Sequence, residues 1–530
     1  MKPLGATNDG QTNFDLYTAQ TARPRGMNKT TVVERSTRLG RVRGIERLGV
    51  ETYLGLRYAQ PVKRFESSMP ARPWTGVYDA TTHKAMAVQG AVREDIFGPL
   101  PNDGFSEDCL FLNIHVPQTP SSTPRPVIVF VHGGSHLSGA ANFYDGTALA
   151  KGADAVVACI NYRLGIFAAV DKRRFGTPSE GGGELWLDDQ IAALRWVRDN
   201  ISDYGGNPEL VTIIGESAGA VSVIALCAAP AAKGLVHRAV ACSPGNLILD
   251  PPPDVVGVVA KARRCSRAQA IEYLQSAPTE ELFALQKRKG KGVTPLEAAG
   301  TPLLPGRIEA LIRNRGKDAV PLIAGFATNE GESLDYIIKL ETRLPWPLLN
   351  LVQHIAARMM ARLPANGTPN VPGYLKRLKK VTGNRGFGAL FNDLIWTDVF
   401  RRASMEYTEA TTAAGSRGYL YVIDVPTRIA SGLLRSSHCV DLPLTFNIWD
   451  DPQHTVPAFA EHPNAPALAR QWVAMLAHFA RTGEPGEALG RWPVYEPTRR
   501  ASMRVTGDGC GLEYDVDAKY REQIWNAPTK

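Results

Sequence analysis

One pentapeptide constrains this chain more than any other feature: Gly215-Glu216-Ser217-Ala218-Gly219, the only G-x-S-x-G among its 530 residues. The run before it, VTII (211–214), is β-branched throughout and reads as a buried strand, and the run after it, AGAVSVIALCAA, reads as a helix. A strand that enters a helix through so few residues makes a very tight turn, in which the positions two before and two after the serine must lack bulky side chains. Gly215 and Gly219 meet that demand. Ser217 is then expected to project from the carboxyl end of a sheet, at a helix N-terminus whose dipole favours developing negative charge. The pattern is that of a nucleophile elbow.

The rest of the chain supplies a frame for such a turn. From Thr31 the runs TVVE, LGRVRG and VETYLGLRY alternate with turns and imply an antiparallel opening sheet. Continuous apolar runs follow at VIVFV (127–131), AVVACI (155–160), RAVAC (238–242), VPLIAGF (320–326) and GYLYVID (418–424), with helical spacing over 188–201. Strands alternating with helices imply a large, mostly parallel central sheet with helices on both faces. The stretches 246–318 and 336–415 are mostly helical or irregular and read as lid-like insertions. Residues 1–29 read as a loose polar tail, and 30–530 as a single catalytic domain. Apolar residues at 44% and charged residues at 21% fit a chain with a large core and exclude disorder as its main state. A net charge of +8 over this length does not argue for a nucleic-acid partner. The basic runs QKRKGKG (286–292) and LKRLKK (375–380) lack interleaved aromatics and read as solvated surface.

A serine hydroxyl needs a base within hydrogen-bond reach. With the chain order serine, acid, histidine, the candidates are His354, His438, His454, His462 and His478. His354 and His478 sit in helical runs, and His454 and His462 in a Pro-rich loop. His438, which opens HCVDLPLTF, is the best placed on position alone.

At this point the motifs resemble those of a family. GRVRG (40–44), YLGLRYAQP (53–61), SEDCLFLNIHVP (106–117), VHGG (131–134), NYRLG (161–165), YGGNPELVTIIGESAGA (204–220), GFATNEGES (325–333), HCVDLPLTF (438–446) and RWPVYEPTRR (491–500) occur in the order seen in the type-B carboxylesterases, the α/β-hydrolase group that includes the cholinesterases. The resemblance runs from about Thr31 to Trp525. It implies an α/β-hydrolase fold and hydrolysis of small carboxylic esters through an acyl-enzyme on Ser217, with Glu330 as acid and His438 as base. Nothing in composition separates Glu330 from Glu332. It further implies oxyanion donors at Gly134, Ser135 and Ala218, no metal or organic cofactor, and structural ion pairs Arg43–Glu107 and Arg163–Asp189. Amide or carbamate hydrolysis would use the same triad, and non-catalytic adhesion or scaffold members of the family typically lack a triad residue.

Several positions depart from the family pattern. Secreted members pair the cysteine corresponding to Cys109 with one some twenty residues upstream, where this chain reads HKAMAVQG (83–90). No tryptophan lies between Gln89 and Glu107, where cholinesterases stack choline by a cation–π contact. Trp186 stands where the family prefers glycine, and Ser135 and His136 replace a small residue and an aromatic one. Seven cysteines without a CxxC pair, no secretory leader pattern and no long apolar run imply a protein free of disulfides and membrane spans, expected in the cytoplasm.

Overall fold

The computed structural model describes residues 30–525 apart from Val62, 91–103, 169–184, 246–253, 290–300, 332–344, most of 346–373, 384–398, 427–434 and 451–461. The expected tail 1–29 lies outside the described residues.

Val, Ile and Ala dominate the runs that form the middle of a 13-stranded sheet. Its strands are β1 (Thr31–Thr37), β2 (Gly40–Arg47), β3 (Val50–Arg57), β4 (Phe111–Pro117), β5 (Arg125–Val131), β6 (Val156–Ile160), β7 (Gly206–Glu216), β8 (Arg238–Cys242), β9 (Leu322–Ala327), β10 (Gly418–Asp424), β11 (Ala501–Thr506) and β12 (Gly509–Tyr514). They lie in the order β1-β2-β3-β4-β6-β5-β7-β8-β9-β10-β11-β12, with Val77–Asp79 beside β2. The run from β6 to β11 is parallel. The opening strands β1 to β4 are antiparallel, as their alternating pattern implies, and β4 joins β6 antiparallel. The sequence reading missed the antiparallel β11–β12 hairpin that closes the far edge.

Successive residues of a strand point to opposite faces, so a central strand must be apolar at every position. In β5, Val127, Val129 and Val131 enter one core cluster while Ile128 and Phe130 enter the other. The first cluster is completed by α2 (Leu185–Asn200), α3 (Ala218–Ala228), α7 (Ile308–Asn314) and α9 (Arg402–Ala413). The second is completed by α1 (Thr147–Ala153) and α10 (Ala465–Thr482). Helix α10 buries Leu468, Ala469, Trp472, Val473, Met475, Leu476, Phe479 and Ala480, a stripe at helical spacing. Within 246–318 lie α4 (Val255–Arg263), α5 (Arg267–Ser276) and α6 (Thr279–Lys289), packed through Val255, Val256, Leu274 and Leu282 on Phe65 and Phe167. The basic run 375–380 falls in α8 (Tyr374–Thr382), which buries Leu378. No helix among the described residues is long and apolar enough to cross a membrane.

One expected ion pair is present and the other is not. Arg163 Nη2 lies 2.6 Å and its Nε 2.7 Å from the two carboxylate oxygens of Asp189, and both residues are buried. Arg43 instead meets Glu34 at 2.9 Å, because Glu34 lies directly opposite it in the β1–β2 register on the exposed side. Glu107 is taken by Arg64 at 2.5 Å and by the Thr279 hydroxyl at 2.5 Å, which ties the 246–318 segment to the sheet. All seven cysteines are unpaired thiols.

Arg163→Met should leave the Asp189 carboxylate buried without its counter-charge and cost about 3–5 kcal/mol. Arg43→Met, on the surface, should change stability by about 0.5 kcal/mol or less. Urea midpoints of the two variants measure the contrast; equal midpoints would remove the structural role of the buried pair.

Candidate active site

The chemistry-bearing side chains stand at the carboxyl ends of adjacent parallel strands, beside the point where the chain order reverses across β6-β5-β7. Ligands bind at such switch points in open α/β sheets. β7 leads directly into Ser217, whose backbone adopts φ 57° and ψ −125° before α3 begins at Ala218. A non-glycine residue in that region is strained and persists only where its surroundings enforce it. The enforcing contacts are visible at the flanking glycines. A Cβ on Gly219 would lie 2.1 Å from the Val131 carbonyl oxygen, and one on Gly215 2.3 Å from the Gly219 carbonyl oxygen. The Ser217 N–H donates to the Cys242 carbonyl at 2.9 Å, pinning the turn to β8.

The loop after β5 crosses against this turn. A Cβ on Gly133 would fall 2.6 Å from the Glu216 carbonyl oxygen and 3.1 Å from the Ser217 Cβ, so only glycine allows the approach. Gly134 follows at φ 104°, and Ser135 and His136 at 57° and 54°. None of the N–H groups of Gly134, Ser135 and Ala218 donates to an acceptor among the described residues.

Glu330 follows β9 and is fully buried. One of its oxygens accepts from the Ser243 hydroxyl at 2.5 Å and from the Ala327 N–H at 2.7 Å, and the other lies 2.5 Å from His438 Nδ1. Glu332, its sequence rival, lies outside the described residues, as do His354 and His454. His462 faces Asp508 at 3.6 Å, and His478 lies on α10 beside Gly486. Among the described histidines that follow Glu330, only His438 meets a buried carboxylate.

The far ring nitrogen of His438 faces Glu216, with Nε2 3.2 Å from Oε1. The Cys439 thiol donates to the same oxygen at 3.0 Å. The Ser217 hydroxyl has no hydrogen-bond partner among the described residues; nucleophile–base bonds are often loose until substrate binds. Phe400, from the 336–415 segment, covers the His438 ring at 4.7 Å. Burial alone would depress the His438 imidazole, but the charges of Glu216 and Glu330 and the bond to Glu330 outweigh it and raise the group to about 9. Burial raises Glu216 to about 7 and Asp441 to about 6, the latter although it accepts from the Tyr421 hydroxyl at 2.7 Å. Among the described residues one trio offers metal-ligand atoms in a cluster, Glu216, His438 and Cys439, all within 4.8 Å of one another. These atoms already engage one another.

Ser243, Glu216 and Cys439 escaped the sequence reading. Ser243 and Cys439 follow a strand end and a histidine with no spacing signal. Glu216 lies inside the pentapeptide, and its adjacency to Ser217 was a signal left unused.

The model of the carboxylesterase family matches residues 29–525, nearly the whole length. The chain belongs to the carboxylesterase family. This carboxylesterase is 31% identical over 480 residues to the human cocaine esterase, covering 84% of this chain and 82% of that protein. It is 30% identical over 544 residues to the pig liver carboxylesterase, covering 91% and 92%. Among solved structures it resembles a Geobacillus stearothermophilus carboxylesterase, with a TM-score of 0.76, 29% identity, and 92% and 99% of the two chains covered. A PNB esterase superposes with a TM-score of 0.76 at 26% identity, covering 93% and 99%. The fold is therefore that of the α/β-hydrolase esterases, and the protein is a serine hydrolase of carboxylic esters.

Removing the Glu216 charge destabilises the imidazolium, so Glu216→Gln should let His438 lose its proton at lower pH. The acid limb of the kcat/KM profile should move down by about one pH unit. An unmoved limb would mean that Glu216 does not govern His438.

Proposed function

We propose that Ser217, His438 and Glu330 form the triad of this esterase and that Gly134, Ser135 and Ala218 supply its oxyanion donors. The observation that carries the reading is the buried Glu330 carboxylate 2.5 Å from His438 Nδ1, with the other ring nitrogen 3.2 Å from Glu216, the residue before a serine held at positive φ. Neutral His438 takes the Ser217 proton as the oxygen attacks the ester carbonyl. Glu330 fixes the ring and stabilises the imidazolium. The three free N–H groups donate to the tetrahedral oxyanion, and each such donor is worth about 10²–10³ in rate. Proton return from His438 releases the alcohol, and water repeats the cycle on the acyl-enzyme. Ser243 and the Ala327 N–H hold the Glu330 carboxylate in place from the side away from the ring.

The substrate is a small-molecule ester. Residues 30–530 form one catalytic domain, with 246–318 and 336–415 as insertions beside the site; the Phe400 contact with His438 supports the second placement. Seven unpaired thiols, Cys109 among them, support a reducing compartment such as the cytoplasm. Nothing favours amide or carbamate hydrolysis over ester hydrolysis.

Ser217→Ala should retain only the residual catalysis of the oxyanion donors and binding, about 10³-fold over water, and an organophosphate should label Ser217 alone. Glu330→Gln should stay folded yet lose most of kcat. Near-normal turnover of p-nitrophenyl esters by either variant would overturn the assignment.

Ser135 places a Cβ and an exposed hydroxyl at a donor position. Esters of bulky tertiary alcohols should therefore react poorly, and Ser135→Gly should raise the tert-butyl to n-butyl acetate rate ratio. An unchanged ratio would show that Ser135 does not shape the alcohol side.

A further inference from the structure

Two departures from the family pattern, His136 and Trp186, are far apart in sequence and meet in the structure. Their rings stack 4.5 Å apart at 18°. Tyr162 meets His136 edge-on at 5.9 Å and stacks on His132 at 4.4 Å. The Tyr162 hydroxyl donates to the His132 carbonyl at 2.7 Å. His132, at the start of the loop after β5, and His136, four residues on, thus pack against one tyrosine.

His136 is more than a filler there. It is 2% exposed, and its Nε2 lies 3.0 Å from the Ser222 hydroxyl on α3, one turn beyond the nucleophile. Gln190 Nε2, on α2, donates to the same Ser222 hydroxyl at 3.0 Å, and the His136 carbonyl accepts from the Gly165 N–H at 2.8 Å. Two of the proposed oxyanion donors, Gly134 and Ser135, belong to the loop that carries His136. The third, Ala218, belongs to the helix that this ring grips. The loop holds three consecutive residues at positive φ. Such a conformation needs an external tie to stay in place.

We propose that His136, stacked on Trp186 and bonded to α3, is a positioning residue that sets the spacing between the two halves of the oxyanion hole. The inference rests on the donor assignment made above. An imidazole supplies both a flat face for Trp186 and a polar edge for Ser222, which a phenyl ring at this position cannot. Burial, with His132 nearby, pushes the His136 imidazole down to about 3, so the ring is neutral at working pH and acts as a strut. The Trp186 indole fills the volume beside that strut and prevents the ring from tilting away.

The test is kinetic. His136→Phe keeps the stack and loses the bond to Ser222 on α3. A misplacement of about 1 Å in such a site costs about a hundredfold in rate. A tenfold to hundredfold fall in kcat is therefore expected, with KM little changed. Affinity for a trifluoromethyl ketone, whose Ser217 adduct carries the oxyanion, should fall by a similar factor. The acid limb of the pH profile should stay in place, because no charge is removed. Ser222→Ala cuts the same bond from the helix side and serves if His136→Phe folds poorly; it should show the same split between kcat and KM. Organophosphate titration of Ser217 counts competent sites in each variant and separates lost protein from lost rate. Wild-type kcat and ketone affinity in the folded variants would overturn the positioning role. Failure of the reagent to label Ser217 in the wild-type protein would instead overturn the site assignment beneath it.

Discussion

The close approach of backbone to backbone at the end of β7 is the constraint on which the rest of the site depends. Gly219 lies so near the Val131 carbonyl, and Gly133 so near the Glu216 carbonyl, that no side chain fits at either place. The turn at Ser217 and the loop after β5 are therefore one packed object made from two sequence segments. Because β5 and β7 are neighbours in the parallel sheet, with Val131 paired to Gly215, their ends are delivered to the same point. The strain at Ser217 is held by these contacts and by the bond to Cys242, and the apolar core on both faces of the sheet supplies the rigidity behind them.

Around His438 the decisive physics is electrostatic. Three buried carboxyl groups, Glu216, Glu330 and Asp441, act on one imidazole. Burial disfavours charge on each partner separately, yet their proximity favours an imidazolium between carboxylates. Glu330 is fixed by donors on its remaining oxygen, whereas Glu216 shares one oxygen between the imidazole side and the Cys439 thiol. Glu330 thus holds the ring through Nδ1, and both carboxylates favour its protonated form.

The departures from the family pattern are informative because the structure couples some and separates others. His136 and Trp186, unrelated in sequence position, form one stacked pair. Arg43 and Glu107, expected as a pair, take different partners, since strand register brings Glu34 to Arg43 while Arg64 and Thr279 enclose Glu107.

The sequence alone determined the elements whose signals are local. VTII running into G-x-S-x-G dictates the elbow, because sterics leave no other way to turn there, and continuous apolar runs dictate strands buried on both faces. His438 was legible from chain order and Glu330 only through family likeness, because one carboxylate in a loop carries no periodicity to mark it. Tertiary structure decided what depends on meetings across the sheet: the seat of Glu330 on Ser243, the contact of Glu216 with His438, and the bond from His136 to Ser222. These contacts join residues dozens to hundreds of positions apart, and hydrogen bonds need placement to within a few tenths of an ångström. Local propensity fixes where a strand ends; only the packed sheet fixes which strand ends stand side by side.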